Sequence, residues 1–415
     1  MTDAGAIAID YRRAASLETV GALWQSLEPR ADPSFFLSWP WIGCWLAESG
    51  LAPDLLTAHR GDKLVGLAIL LRRAEGWHRL VPILHLTSFG DRQIDSPFIE
   101  YNGLLVEQDA AERVSRAMLD RLAALPRASR RDGGWRLLSL PGIDQDLCRL
   151  LADSGLVVAE RTRRPAPFVD LGSIRPLGTD FLATRSRNFR WQVRRSLRLF
   201  AEQGPVRLER AQTLDEAFVV FDQMKELHQR RWTERGQRGA FSSKFFERFH
   251  RRLIATAWAD GKIDLLRLKV GDATVGCLYN FLHGGAVYAY QSGFHFTADA
   301  RLKPGLVCHC LAIERYLATD LQRYLLLAGE SDYKSSLASG FDLLDWVVVH
   351  RSGASDRMMA LLSRLLRRLK ENATGQARGG DHDGVGTHLL PGGTQSGADR
   401  DGHRARNRPS HGELL

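Results

Sequence analysis

The sequence predicts an α/β (α+β) fold in two tandem domains followed by a glycine-rich tail, and three observations carry that expectation. The chain has 415 residues, more than one ordinary hydrophobic core accommodates. It contains Gly61-Asp62-Lys63-Leu64-Val65-Gly66 and, 210 positions later, Gly271-Asp272-Ala273-Thr274-Val275-Gly276, each between two apolar runs. After the second copy, strand-like and helix-like segments alternate.

Each copy reads as a β-hairpin. Gly-Asp supplies the positive φ and the side-chain-to-backbone hydrogen bond of a tight turn, and the flanks are strand formers: Leu55-Leu56-Thr57-Ala58-His59 and Leu67-Ala68-Ile69-Leu70 around the first copy. Duplication explains the pair; coincidence between two common Gly-Asp turns is the alternative.

In the first half, residues 16–50 carry Trp24, Phe35, Phe36, Trp39, Trp41 and Trp45, broken by Pro33 and Pro40 into short helices and a turn. Such aromatics favour a core over a ligand box. A loop at 94–103, a strand at Leu104–Val106, a helix over 110–125, a surface loop at Pro126–Gly134 and a strand at 135–140 follow. Charge and prolines at Arg161–Pro167 precede a new apolar start at Phe168, which sets the expected domains at 1–170 and 171–371, with a tail at 372–415.

The second half opens with a helix over 184–200. Phe189, Val193, Leu197 and Phe200 form one stripe, and Arg187, Arg190, Arg194 and Arg198 another. Helices over 214–232 and 243–258, the second hairpin, a strand at 286–291, a helix over 306–319 and a buried strand at 324–327 complete the order. Met358, Leu361, Leu362, Leu365, Leu366 and Leu369 then predict a last amphipathic helix, with Arg357, Arg364, Arg367, Arg368 and Lys370 opposite. It either docks on the fold or lies on a membrane surface. From Gly375 onward, ten glycines without periodicity predict disorder.

Composition narrows the function classes. With 44% hydrophobic and 25% charged residues the chain reads as a soluble globular protein, and no apolar stretch approaches the roughly 18–20 residues of a membrane span. Without a signal-like start, the cytoplasm is the expected location. Cys44, Cys148, Cys277, Cys308 and Cys310 form no CxxC pair, so neither a disulfide framework nor a metal site is expected. The net charge of +9 lies outside the neutral tail and favours anionic partners: CoA, nucleotides, tRNA or an acidic membrane surface. A general preference for arginine as a surface residue explains it equally well.

Four segments of the second half occur in a telling order: Ser186-Arg187-Asn188-Phe189-Arg190 with Val193-Arg194-Arg195; Leu227-His228-Gln229-Arg230-Arg231-Trp232; Lys303-Pro304-Gly305-Leu306; and Gly329-Glu330-Ser331-Asp332-Tyr333-Lys334. Together they resemble the BioF2-like (CelD-type) acetyltransferase domain of the GNAT superfamily, a branch close to the FemABX aminoacyl transferases. The likeness covers about residues 175–346 well and the first half weakly. It implies two tandem GNAT-like domains, each a mixed central sheet flanked by helices. It further implies transfer of an acyl group from acetyl-CoA or another acyl-CoA co-substrate, with no permanently bound cofactor, to a small-molecule or sugar-amine acceptor in cell-envelope or exopolysaccharide metabolism. The alternatives are FemABX-like transfer from aminoacyl-tRNA, and a non-catalytic scaffold of a polysaccharide-assembly system.

The residues assigned on this basis are as follows. Lys334, Glu330, Tyr333 and Asp332 emerge at a strand end, where a carboxylate would take the attacking amine's proton and Lys334 would hold developing negative charge; a solvated turn is the bland alternative. Arg301, Lys303, Gly305 and Leu306 precede a helix whose free N–H groups would receive the CoA pyrophosphate, although Pro304 stands where the usual GNAT pattern has glycine and removes one donor. A plain helix start with proline in its first turn is the competing reading. Arg187 and Arg190 would grip phosphates, or belong to a solvated helix face. His228 and Trp232, four apart on one helix face, would set a general base beside an aromatic wall, with Tyr290 a further substrate-binding residue; a packed pair is the alternative. Cys308, His309 and Cys310 read as core.

Overall fold

The computed structural model describes residues 6–75, 81–126, 134–358, 360–362 and 364–365. The tail at 372–415, Leu366 to Lys370 of the last amphipathic segment, and residues 127–133 of the loop read at Pro126–Gly134 lie outside the described residues.

The first half runs β1 (Ile7–Arg12), α1 (Leu17–Leu27), α2 (Trp39–Ser49), β2 (Asp54–Arg60), β3 (Lys63–Glu75), β4 (Val81–Leu86), β5 (Leu105–Val106), α3 (Ala111–Ala124), β6 (Leu137–Ile143), α4 (Gln145–Asp153) and β7 (Leu156–Asp170). The second runs α5 (Leu171–Ile174), α6 (Arg187–Ala201), β8 (Val206–Arg210), α7 (Leu214–Glu234), α8 (Lys244–Ala257), β9 (Ile263–Val270), β10 (Ala273–His283), β11 (Ala286–Phe294), α9 (Pro304–Leu317), β12 (Arg323–Leu325), α10 (Asp332–Leu337) and β13 (Gly340–Arg351). No helix among the described residues is long and apolar enough to cross a membrane.

The two hexapeptides sit at equivalent turns. Gly61 (φ 59°) and Gly271 (φ 57°) adopt left-handed backbone, which a side chain would strain. Each following strand then bulges at the same place. Val65 is passed over between Leu64↔His59 and Gly66↔Ala58, and Val275 between Thr274↔Lys269 and Gly276↔Leu268. Turn, bulge and the glycine after it all recur, which is more than two unrelated Gly-Asp turns would share.

The halves also share topology. β1-β2-β3-β4 and β8-β9-β10-β11 are antiparallel ribbons, and each is extended by a parallel strand, β6 beside β4 and β12 beside β11. The last strands are exchanged. β7, which ends the first half, pairs with β12; β13, which ends the second, pairs with β6; and the two pair with each other from Gly340↔Phe168 to Arg351↔Leu156. One mixed 13-stranded sheet results.

Alternation along the strands gives both sheet faces an apolar set. One face buries α1, α2, α7 and α8 in a core shared by both halves. Here the aromatic stretch finds its purpose: Phe35 stacks on Phe281 at 4.2 Å, and Trp41 meets Phe249 edge-on at 4.8 Å. The opposite face carries α3 and α4 over the first half and α6 and α9 over the second.

The exchanged strands are clamped by charge. Asp345 of β13, fully buried, accepts from Arg161 and Arg163 of β7 and from Gln145 and Cys148 of α4. Burial pushes its carboxyl up, but these donors outweigh that and hold it well below the usual aspartate range. Asp345→Ala is expected to lower unfolding stability by about 1.5–3 kcal/mol, the worth of hydrogen bonds to a charged group, measured by urea denaturation. Because the folded carboxyl titrates low, this stabilisation is complete at neutral pH. It fades as pH falls below the ordinary aspartate value of about 3.9.

Candidate active site at the fork of two parallel strands

The segment that reads as a proline-bearing boundary is the long strand β7, and its prolines shape the site. Pro165 and Pro167 lie two apart, so both turn the same edge, and their carbonyls accept from Gly329 and Leu326 N–H on the β12 side. That edge has no N–H to give back. The chain beyond β12 therefore departs from a regular ladder, and Leu327, buried, takes φ 62°. This is strain for a branched side chain.

Parallel pairing of β11 with β12 ends at Tyr288↔Leu325. Beyond it the strands diverge, and a cavity of about 30 Å³ opens between Ala289–Ser292 on one side and Leu326–Leu327 on the other. Crevices beyond the carboxyl ends of parallel strands are the usual ligand positions in α/β sheets. His228, Tyr290, His309, Tyr333 and Lys334 complete the lining.

Lys334, in α10, is 4% exposed, and its Nζ donates to Leu327 O at 3.2 Å and Ala328 O at 3.0 Å. An ammonium has three protons, so one remains for a ligand. Burial lowers its pKa to about 8, with the nearby Glu100 pulling it up and Arg164 pushing it down. Glu100 comes from the first half and is 1% exposed; its Oε2 accepts from Ala328 N at 2.6 Å. Ala328 is thus gripped at both backbone groups, by a carboxylate from one half and a lysine from the other. Burial raises Glu100 to about 7, opposed by the Ala328 N–H and by Lys334.

The structure brings together Lys334, Tyr333, His228 and Tyr290 of the residues assigned from sequence. Tyr333 is half-buried, and burial lifts its phenol to about 12. Tyr290 Oη lies 3.1 Å from His250 Nε2. His228 Nδ1 lies 3.1 Å from Ser292 O, its ring 5.8 Å from that of the buried Trp232, and burial lowers its pKa to about 4. Such a histidine is neutral and held in place, a poor proton acceptor.

Other assigned residues stand elsewhere. Glu330 and Asp332 are exposed and outside the cavity lining, because α10 begins at Asp332 and turns them to solvent; the buried carboxylate here is Glu100. Arg301 is exposed and paired with Asp299 at 2.7 Å. Arg190 Nη1 caps its own approach loop at Arg185 O, 2.9 Å, while Arg187 is exposed at the start of α6. At the start of α9, Lys303 N–H is committed to Ser196 Oγ and Pro304 has none; Gly305 and Leu306 N–H have no acceptor within the helix. The loop thus presents two backbone donors to an anion.

Glu100 and His309 escape a reading by sequence. Glu100 hides in a loop, and its only signal is an acid following apolar Phe98 and Ile99. His309 sits between two cysteines on an apolar helix, which reads as core.

Gly293, one residue past the cavity lining, lets α7 lie directly on β11: a Cβ there would stand 2.3 Å from Met224 O and 3.0 Å from His228 N. Gly293→Ala is therefore expected to destabilise by about 1–3 kcal/mol through overpacking, and to displace His228. Denaturation and the His228 imidazole resonances check both effects.

Residues 187–335 match the family model described as an acetyltransferase (GNAT) domain. The matched segment runs from the start of α6 to one residue past Lys334. Among solved structures, a crystal structure of FemX aligns with 81% of this chain and 97% of its own, at a TM-score of 0.53 and 9% identity. The C-terminal domain of a putative lysylphosphatidylglycerol synthetase from Agrobacterium fabrum aligns with 85% and 98%, at 0.49 and 11%. L-PGS from Bacillus licheniformis aligns with 86% and 98%, at 0.47 and 13%. No curated protein matches the sequence. Residues 187–335 of the second half therefore resemble a GNAT acetyltransferase domain, and the FemX likeness shows a shared fold over most of the chain.

Proposed function

We propose that the chain is an acyltransferase that moves an acyl group from an acyl-CoA thioester to an amine, with the β11/β12 fork as its reaction centre. The observation that carries this reading is Lys334: an ammonium sealed from water, fixed by two carbonyls, with one proton left toward the cavity. A fixed cation in a dry site is what a carbonyl oxygen gaining charge requires. The amine attacks the thioester directly, so holding both groups in register supplies much of the rate and no covalent enzyme intermediate is needed. Glu100 positions Lys334 and keeps it charged. Gly305 and Leu306 N–H, with the Lys303 side chain, would receive a pyrophosphate; two backbone donors make a sparse cradle.

One observation favours a second donor. On α6, Trp191 is 52% exposed amid Arg187, Arg194 and Arg198, also exposed, and Arg195 lies over its ring at 4.9 Å. An aromatic surface among arginines suits a nucleic-acid backbone and its bases, as an aminoacyl-tRNA donor would need. Two binding measurements separate the readings. Acetyl-CoA or desulfo-CoA at 100 times its Kd raises stability by about 2.7 kcal/mol, seen as a thermal shift. Retardation of aminoacyl-tRNA in a gel, without such a shift, would favour the second donor.

A further inference from the structure

We propose that His309 is a second electrophilic group of this centre, donating from Nε2 to the acyl carbonyl oxygen beside the Lys334 ammonium. The inference rests on the acyl-transfer reading and deepens it.

His309 is 3% exposed and lines the same cavity from α9. Its Nδ1 lies 2.8 Å from the hydroxyl of Tyr324, which is fully buried. Burial pushes that phenol's pKa well up, so it keeps its proton. Among the described residues Nδ1 is the hydrogen-bond partner of this hydroxyl; under the proposal the phenol spends its single proton there, with Nδ1 accepting. The imidazole proton is thereby assigned to Nε2. Nε2 is buried with no partner among the described residues. A donor left this way carries an uncompensated desolvation penalty, which a carbonyl oxygen entering the cavity recovers.

The ring is held as well as tautomerically set. Tyr333 stacks on it at 5.7 Å and 26°. Burial and the neighbouring Lys334 lower its pKa to about 3, so a neutral donor stands beside the ammonium without like-charge repulsion. At about 30 Å³ the cavity admits a water or a carbonyl group and no whole substrate.

The step balances without proton loss from His309. The amine nitrogen forms the new N–C bond while the carbonyl π pair moves onto oxygen, between Nε2–H and the ammonium. When that pair re-forms the double bond, the bond to the leaving sulfur breaks. The proton released by the amine goes to the departing thiolate, which leaves as the free thiol.

Two measurements on the full chain test this. In ¹⁵N-histidine-labelled protein, long-range ¹H–¹⁵N spectra are expected to show His309 protonated on Nε2, with Tyr324→Phe releasing the other tautomer; protonation on Nδ1 in the parent overturns the proposal. With acetyl-CoA as donor and hydroxylamine as the amine, His309→Phe is expected to lower kcat for hydroxamate formation about 10²-fold or more. The KM for acetyl-CoA should hold, and His309→Gln should recover part of the rate. A folded His309→Phe variant with parental kcat also overturns it. If the parent itself forms no hydroxamate above the uncatalysed rate, the acyl-CoA reading fails, and the spectra still decide the tautomer.

Discussion

Lys334→Ala is expected to lower acyl transfer by about 10²–10³-fold in kcat, the loss seen when a fixed donor to a developing oxyanion is removed. Lys334→Arg is not expected to restore it. A guanidinium is planar and larger, and the cavity between Leu326–Leu327 and Ala289–Ser292 has no room for it. The parental enzyme should also lose activity as pH rises through about 8, because the group must be an ammonium to act and burial has lowered its pKa to that value. The sign for stability is opposite. The folded pKa lies below the ordinary lysine value of about 10.4, so the penalty for burying the charge is present below about 8 and disappears as pH rises between the two. A pH–rate profile and a pH–stability profile therefore move in opposite directions over the same interval.

Glu100→Ala should have the largest effect on stability. It removes the acceptor of Ala328 N–H and the carboxylate facing Lys334, both buried. Removing one partner of a buried charge pair typically costs about 3–5 kcal/mol. Glu100→Gln separates the two roles: the amide oxygen still accepts from Ala328, while the charge is gone. Since Glu100 holds the Lys334 pKa up, Gln should move the alkaline limb of the rate profile to lower pH and leave acyl-CoA binding unchanged. An unmoved limb would mean that the carboxylate does not act through Lys334.

How much of this was legible in the sequence follows the range of the interactions. The hairpins were readable because Gly61-Asp62 and Gly271-Asp272 dictate their own turns, and the shared bulges at Val65 and Val275 strengthen the inference of duplication. The position of Lys334 just past β12 was readable because the apolar run before it and the Tyr333-Lys334 pattern are local. β7 was not, since Arg161–Pro167 has the composition of a linker; it is a strand because β13 pairs along it and Asp345 gathers its arginines. Glu100 was hidden for a related reason. Strand exchange carries the end of β12 toward a first-half loop 228 residues distant in sequence, a proximity no local pattern encodes. Glu330 and Asp332 were the nearest carboxylates in sequence, and the start of α10 faces them outward.

Catalysis by Lys334 is tested most directly by enzyme-dependent hydroxamate formation from acetyl-CoA and hydroxylamine by the parent and by Lys334→Ala, with folding of both verified by circular dichroism. The parent is expected to catalyse the reaction and the variant to lose about 10²-fold or more in kcat. A folded Lys334→Ala protein that matches the parental rate would contradict this role for Lys334.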